Sequence, residues 1–345
     1  MSPAIQMIIL SSLATGTIIT MNSHHWLMAW IGLEINTLAI IPMITSPHHP
    51  RSTEAAMKYF LTQAAASAMI LFSSMINAWY LGTWDITQLS YTPSVILLTM
   101  ALAMKLGLAP THFWLPEVLQ GSTLPTAFII VTWQKLAPMS LIFLTINNLN
   151  TPTLLVLGIL SSIIGGWGGL NQTHTRKLMA YSSIAHLGWM ASISSIMTNI
   201  MIMNLLVYLI MTMALFCSLI VSNSKTIQDT TTAWTASPVL TASMLLSLLS
   251  LGGLPPLTGF APKWLILNEL VAQNLVPLAT AMAMSALLSL FFYLRLTYTT
   301  TLTLAPNTTQ MKFKWRLYPA TFTPVLTIST TLAALLLPMT PLILL

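Results

Sequence analysis

Charge and cysteine are what this sequence has least of. Only 5% of its 345 residues are Asp, Glu, Lys or Arg, where soluble domains carry about 25%. A soluble globule with so few charges needs a core larger than a chain of this length can enclose. The single cysteine, Cys217, excludes an internal disulfide, a cysteine-ligated iron–sulfur site and a zinc cluster of the usual kind. Basic runs are missing as well. The formal charge of +6 is scattered between apolar stretches, so it does not describe a nucleic-acid surface. Neither an Arg-rich transit sequence nor a charged signal-peptide head precedes the first apolar run, so that run is expected to be retained.

What fills the space is hydrophobic sequence, 55% of residues, with a mean hydropathy of +0.80. The expectation is an all-α polytopic membrane protein. Eleven spans are predicted, at about 3–20, 26–43, 55–80, 93–121, 124–146, 152–170, 178–196, 200–222, 238–272, 276–297 and 320–344, each near or above the ~20 residues a bilayer needs. The loop 47–54 runs into a helix start capped by Ser52 or Thr53, residues 223–237 are a polar connection, and Trp26, Trp79 and Trp84 are expected as interface anchors. Loops after even-numbered spans hold or flank Arg51, Arg176, Lys177, Lys225, Arg295, Lys312, Lys314 and Arg316; loops after odd-numbered spans contain no Lys or Arg. This bias predicts an N-terminus on the inner side and a C-terminus on the outer side.

Two of the spans are interrupted. Lys105-Leu-Gly107-Leu-Ala-Pro110 breaks the fourth, and Gly252-Gly-Leu-Pro255-Pro256 followed by Lys263 breaks the ninth. Proline removes a donor and disfavours helical geometry in the residue before it. At membrane depth such irregular backbone is tolerated only where protein or a watered cavity satisfies it. Broken spans at matching positions suggest two five-helix repeats of inverted topology, residues 1–148 and 149–298, followed by a loop and one C-terminal helix in 299–345.

Glu34, Lys105, Lys135 and Lys263 fall inside predicted spans. Each costs about 2.5–3.5 kcal/mol at a helix centre unless partnered, hydrated or neutralised. Burial in general loosens a lysine's hold on its proton, so a series of such groups suits a proton relay. Thr111 and His112 follow the first break, Gln134 adjoins Lys135 in a helix that Pro138 should kink, and Ser182 and His186 share one helix face. For Glu34 or Lys135 alone, a structural ion pair is the competing reading; for His186, it is a packed, hydrogen-bonded ring.

The motifs Trp30-Ile-Gly-Leu-Glu34, Lys105–Glu117, Trp133-Gln-Lys-Leu-Ala-Pro138, Gly168-Gly-Leu-Asn-Gln172, Arg176–Trp189 and Gly253–Trp264 resemble, in order and over nearly the whole chain, the antiporter-like membrane-arm subunits of respiratory complex I. The resemblance implies a proton-translocating subunit with no redox centre of its own, in a complex that uses NADH, flavin, iron–sulfur clusters and ubiquinone elsewhere. It implies that Glu34 with Lys105, then Lys135, then Lys263 carry protons, with His186 on the connecting polar axis. Chains 4L and 4 of that complex, accessory subunits and lipids such as cardiolipin are the implied partners. The implied setting is the mitochondrial inner membrane, with the N-terminus in the matrix and the C-terminus in the intermembrane space. The resemblance also implies that bacterial relatives, with fourteen helices, have three more at the start. A stand-alone cation/proton antiporter of the same fold is the alternative.

Overall fold

Apolar runs of this length leave the backbone one way to satisfy itself inside a bilayer, and the chain takes it: every regular element among the described residues is helical. The computed structural model describes residues 3–302 and 324–341. The helices are α1 (Pro3–Met21), α2 (Trp26–Thr45), α3 (Pro50–Leu81), α4 (Thr92–Leu106), α5 (Trp114–Gly121), α6 (Leu124–Val131), α7 (Leu136–Thr145), α8 (Thr151–Gly169), α9 (Thr175–Ser194), α10 (Thr198–Ser222), α11 (Ile227–Ala236), α12 (Pro238–Gly252), α13 (Phe260–Ala272), α14 (Val276–Leu302) and α15 (Pro324–Leu335). Seven among the described residues are long and apolar enough to cross a membrane: α1, α2, α3, the α6–α7 pair, α8, α10 and α14. The chain is therefore built as a multi-pass membrane protein. The helix α9 is less apolar, since it carries Arg176, Lys177, Ser182, Ser183 and His186. Helices α4 and α12 are apolar but have 15 residues each. At 1.5 Å per residue that is about 22 Å, short of the ~30 Å hydrocarbon core, so each needs the segment beyond its break. The basic residues Lys312, Lys314 and Arg316 lie outside the described residues.

The chain divides into two units, Met1–Ser161 with Met190–Thr198, and Ser162–Trp189 with Asn199–Leu345. In the first, α1 crosses α2 where Gly16 and Gly32 face each other. A Cβ on Gly32 would lie 2.8 Å from the Gly16 carbonyl oxygen, so only glycine permits this approach. Helix α3 packs against α2, α4 and α5, and α1 against α7. Trp26, Tyr59, Ile70, Leu98 and Leu102 are fully buried there. In the second unit α12 packs on α14 and α15, α13 on α14, and α11 on both α12 and α14. Its largest buried side chains are Tyr208, Phe216, Phe292 and Tyr293.

Three local expectations change. Helix α3 begins at Pro50, with His49 as the cap: the His49 ring accepts from the Arg51 amide, and Ser52 serves as the reciprocal partner rather than the cap. The polar connection 223–237 contains a helix, α11, started by a capping box in which Thr226 and Asp229 exchange hydrogen bonds. Burial opposes the Asp229 charge, but the amides of Thr226 and Lys225, the Thr226 hydroxyl and the Lys225 charge outweigh it and hold this carboxyl below its ordinary value. Trp26 is buried rather than lying open as an anchor, and its amide donates to the Trp84 carbonyl at 3.1 Å, which ties the start of α2 to the 83–86 loop. Trp79, 88% exposed, has the accessibility expected of an anchor.

Candidate functional site

Lys105 stands in the last turn of α4, one residue before Leu106 ends the helix. Gly107 stops it in the left-handed region at φ 78°, where its amide reaches back to the Ala103 and Met104 carbonyls. Residues 107–113 then run without helix to α5. Trp114 clasps the break, its indole Nε1 donating to the Met104 carbonyl at 3.1 Å. Lys105 is 6% exposed, and its Nζ has no hydrogen-bond partner among the described residues.

Lys135 lies in a second backbone irregularity. Pro138 can neither bond to the Gln134 carbonyl nor avoid pressing on it, and the chain answers with a 3₁₀ turn, Trp133–Lys135, between α6 and α7. The helix is interrupted at the place where Pro138 predicts a kink, and Lys135 is the buried residue at the end of the interruption, 4% exposed. Lys105 and Lys135 line one cavity together with Asn36, Thr37, Tyr59, Gln63 and Gln134. The volume open to the centre of a water there is ≈ 10 Å³.

Glu34, on α2, is half-buried. Its carboxylate accepts from Thr37 Oγ1 at 2.9 Å and from Ser67 Oγ at 3.4 Å. It is within electrostatic range of Lys105 and of the Tyr59 phenol without an ion-pair contact to either. The ion pairs among the described residues are instead Lys58–Glu54 at 2.6 Å and Lys58–Glu117 at 2.5 Å. Lys58 and both carboxylates are well exposed, so these pairs contribute little stability, but Lys58 joins α5 to α3 across the broken segment. His112, 4% exposed, sits inside the break with its ring against Phe113.

In the second unit the break repeats with a different clasp. Gly253, at φ 80°, ends α12, its amide bonded to the Leu249 and Ser250 carbonyls. Lys263 comes from α13, beyond the break, and reaches back: its Nζ donates to the Gly252 carbonyl at 2.8 Å and the Leu251 carbonyl at 3.4 Å. A cation is well placed there, at the negative end of a helix. His186, on α9, is 6% exposed with its ring 5.4 Å from that of Tyr208. Ser183 bonds the Tyr208 hydroxyl, and Ser182 faces that of Tyr293.

The structure thus gathers Glu34, Lys105 and Lys135 within the first unit, and His186 and Lys263 lie in the second. Tyr59, Gln63, Tyr208 and Tyr293 join them as buried polar groups that a search for charges passes over. Their sequence signal is a polar side chain in an otherwise apolar helix stripe.

A family profile described as "NADH:quinone oxidoreductase/Mrp antiporter, TM" matches residues 23–289, and one described as "NADH dehydrogenase subunit 2 C-terminus" matches residues 290–344. The chain belongs to the NADH:quinone oxidoreductase/Mrp antiporter family. Within this family it is 56% identical over 341 residues to a protein of Varanus melinus, and 55% identical over 342 residues to one of Xenopus laevis; both are named NADH-ubiquinone oxidoreductase chain 2, and 99% of each chain is covered. Among solved structures it is similar to a chain of respiratory complex I from Thermus thermophilus, with a TM-score of 0.84, 26% identity and coverage of 97% of this chain and 78% of that one. The same antiporter fold appears in a chain of the Mrp complex of Dietzia sp., at a TM-score of 0.76 and 16% identity over 85% of this chain and 59% of that one.

Proposed function

We infer that this chain is a membrane-arm subunit of a respiratory NADH–ubiquinone oxidoreductase, and that it moves protons across the membrane while electron transfer proceeds in other subunits. One observation carries this reading: relatives bearing that enzyme's name match at more than half of all positions from end to end of both chains. The likeness to a chain of a bacterial complex I supports it. The enzyme's NADH, flavin, iron–sulfur clusters and ubiquinone belong to the rest of the complex, and this chain supplies no redox group. The family's other branch favours the second reading, a cation/proton antiporter of the Mrp kind.

The relay we propose begins with Glu34 and Lys105. In the present geometry Thr37 and Ser67 hold the carboxylate, and Lys105 is unbonded. Bringing the two to 4 Å would add attraction on the order of 4 kcal/mol at an effective dielectric of 20, and separating them would return it, minus what water screens. Such a switch makes Lys105 alternately hold and release a proton. Lys135, on the same cavity, is the acceptor, and His186 and Lys263 continue the series. The matched breaks α4–α5 and α12–α13 support the division into halves 1–148 and 149–298, with eleven crossings in all. The setting is the inner mitochondrial membrane, with the N-terminus and Lys312–Arg316 on the matrix side. Chains 4L and 4 of the complex are the neighbours, alongside accessory subunits and cardiolipin.

Native electrophoresis of gently solubilised membranes tests the assignment. The chain is expected in a particle far larger than its own 37.8 kDa that oxidises NADH in the gel. Migration in a small particle without that activity would favour the antiporter reading.

A further inference from the structure

Gln63 projects from α3 into the wall of the cavity that Lys105 and Lys135 share. It is 4% exposed, and its side chain borders that space. Lys105 Nζ and both polar atoms of the Asn36 amide, on the same cavity, are buried without a hydrogen-bond partner among the described residues. Gln134, which lines the same cavity, makes one long bond of 3.5 Å from Nε2 to the Asn36 carbonyl. Buried polar groups are costly to leave unpaired, and here they converge on a space of ≈ 10 Å³ open to a water's centre. That is close to the least a single water requires, and a buried water binds where two to four polar groups surround it. Nothing larger fits, and two lysines repel a metal cation of similar size.

We propose that Gln63 is a positioning residue for proton transfer: with Gln134 it fixes one water between Lys105 and Lys135. In the transfer one proton passes from the Lys105 ammonium to the water oxygen as another passes from that water to Lys135 Nζ. The water is regenerated, Lys105 ends neutral and Lys135 ends as an ammonium. The amide of Gln63 neither gains nor loses a proton; it sets where the water oxygen sits. This inference rests on the proton-translocating reading above.

The test uses the assembled complex, imaged at a resolution that shows ordered water, together with proton flux measured in sealed vesicles. The wild-type map is expected to show one water within hydrogen-bonding distance of Gln63 and Lys105 Nζ. Gln63→Met keeps the length and removes the hydrogen bonds. It should lose that water and lower coupled proton flux by about tenfold, less than the ~100-fold that misplacement costs a rate-limiting step. NADH oxidation by a soluble acceptor, which bypasses the membrane arm, should not change. Gln63→Asn, which keeps an amide and leaves room for a second water, should recover most of the flux. A dry cavity in a wild-type complex that pumps would overturn the water site and leave the assignment of the chain standing. Gln63→Met pumping at the wild-type rate would do the same. Were Gln63→Met not to assemble, the wild-type map decides alone. Absence of the chain from the complex would instead overturn the functional reading itself.

Discussion

In α4–α5 the helix before the break ends on Gly107 at φ 78°, and in α12–α13 it ends on Gly253 at φ 80°. In both, the glycine amide folds back on the carbonyls four and three residues earlier. The side chains that close the two helix ends differ. At the first break an indole does the capping, with Trp114 Nε1 on the Met104 carbonyl. At the second a lysine does it, with Lys263 Nζ on the Gly252 and Leu251 carbonyls. Lys105 is therefore free of structural duty and Lys263 is not. A charge that caps nothing can move or give up its proton without uncovering backbone. A charge that caps a helix end must be replaced when it leaves. Under the proposed relay, the first break suits transfer, and the second would couple any transfer to a change in its own backbone.

Removing each lysine is the strongest way to break this comparison. Lys263→Met should destabilise its break by roughly 1.5–3 kcal/mol, the range for a hydrogen bond to a charged group. Hydrogen–deuterium exchange at the Gly253 and Leu254 amides should then quicken. Lys105→Met should leave exchange at Gly107 and Leu108 unchanged, because no hydrogen bond is lost. Equal loosening at the two breaks would remove the distinction.

Adding a methyl group at each glycine sharpens it. Either alanine pays about 1–2 kcal/mol for the left-handed conformation. At Gly107 the new Cβ finds its nearest neighbour at 3.5 Å, whereas at Gly253 it meets Lys263 Cδ and Nζ at 3.0 Å. Gly253→Ala should therefore disturb the Lys263 cap as well, with exchange at Leu254 faster than strain alone gives at Leu108 in Gly107→Ala. Trp114→Phe should cost about 0.5–1.5 kcal/mol, the worth of one neutral hydrogen bond. Its effect on exchange should stay within residues 104–114 of the first break.

The smallest effect concerns α11, which packs on α12 and α14. The Asp229 carboxyl is held below its ordinary value in the folded chain. Its capping contribution is complete above the unfolded value, about 3.9, and fades as pH falls through the lower folded value. Exchange at the Thr226 and Lys225 amides should rise on acidification below pH ~4, and Asp229→Asn should show faster exchange already at neutral pH. A pH-independent cap would contradict the Asp229 contacts.

Both breaks are legible in sequence because glycine and proline are the residues that end helices, and a lysine beside them in apolar sequence is costly enough to demand a reason. The interruption at Lys135 follows from Pro138 in the same way. The direction in which Lys263 turns is not legible, since it depends on a rotamer and on carbonyls eleven and twelve residues away in the chain. The start of α3 is hard to read because histidine is an uncommon cap, and Pro50 at the first helical position is the better signal. The capping box of α11 lies in plain sequence, Thr226-Ile-Gln-Asp229, but its helix is too short and polar to announce itself by periodicity. Gln63, Tyr59, Tyr208 and Tyr293 carry no charge, so the cost argument that singles out Glu34 and the lysines does not reach them.

The central claim is that Lys105 passes a proton rather than merely balancing charge. Arginine keeps the charge and the length but does not release its proton. The direct measurement is protons translocated per electron by assembled complex carrying Lys105→Arg. The account predicts normal assembly, unchanged NADH oxidation by a soluble acceptor, and proton flux and coupled turnover depressed nearly as far as in Lys105→Ala. A Lys105→Arg complex that pumps at the wild-type ratio would show that the charge alone matters there and would contradict the relay.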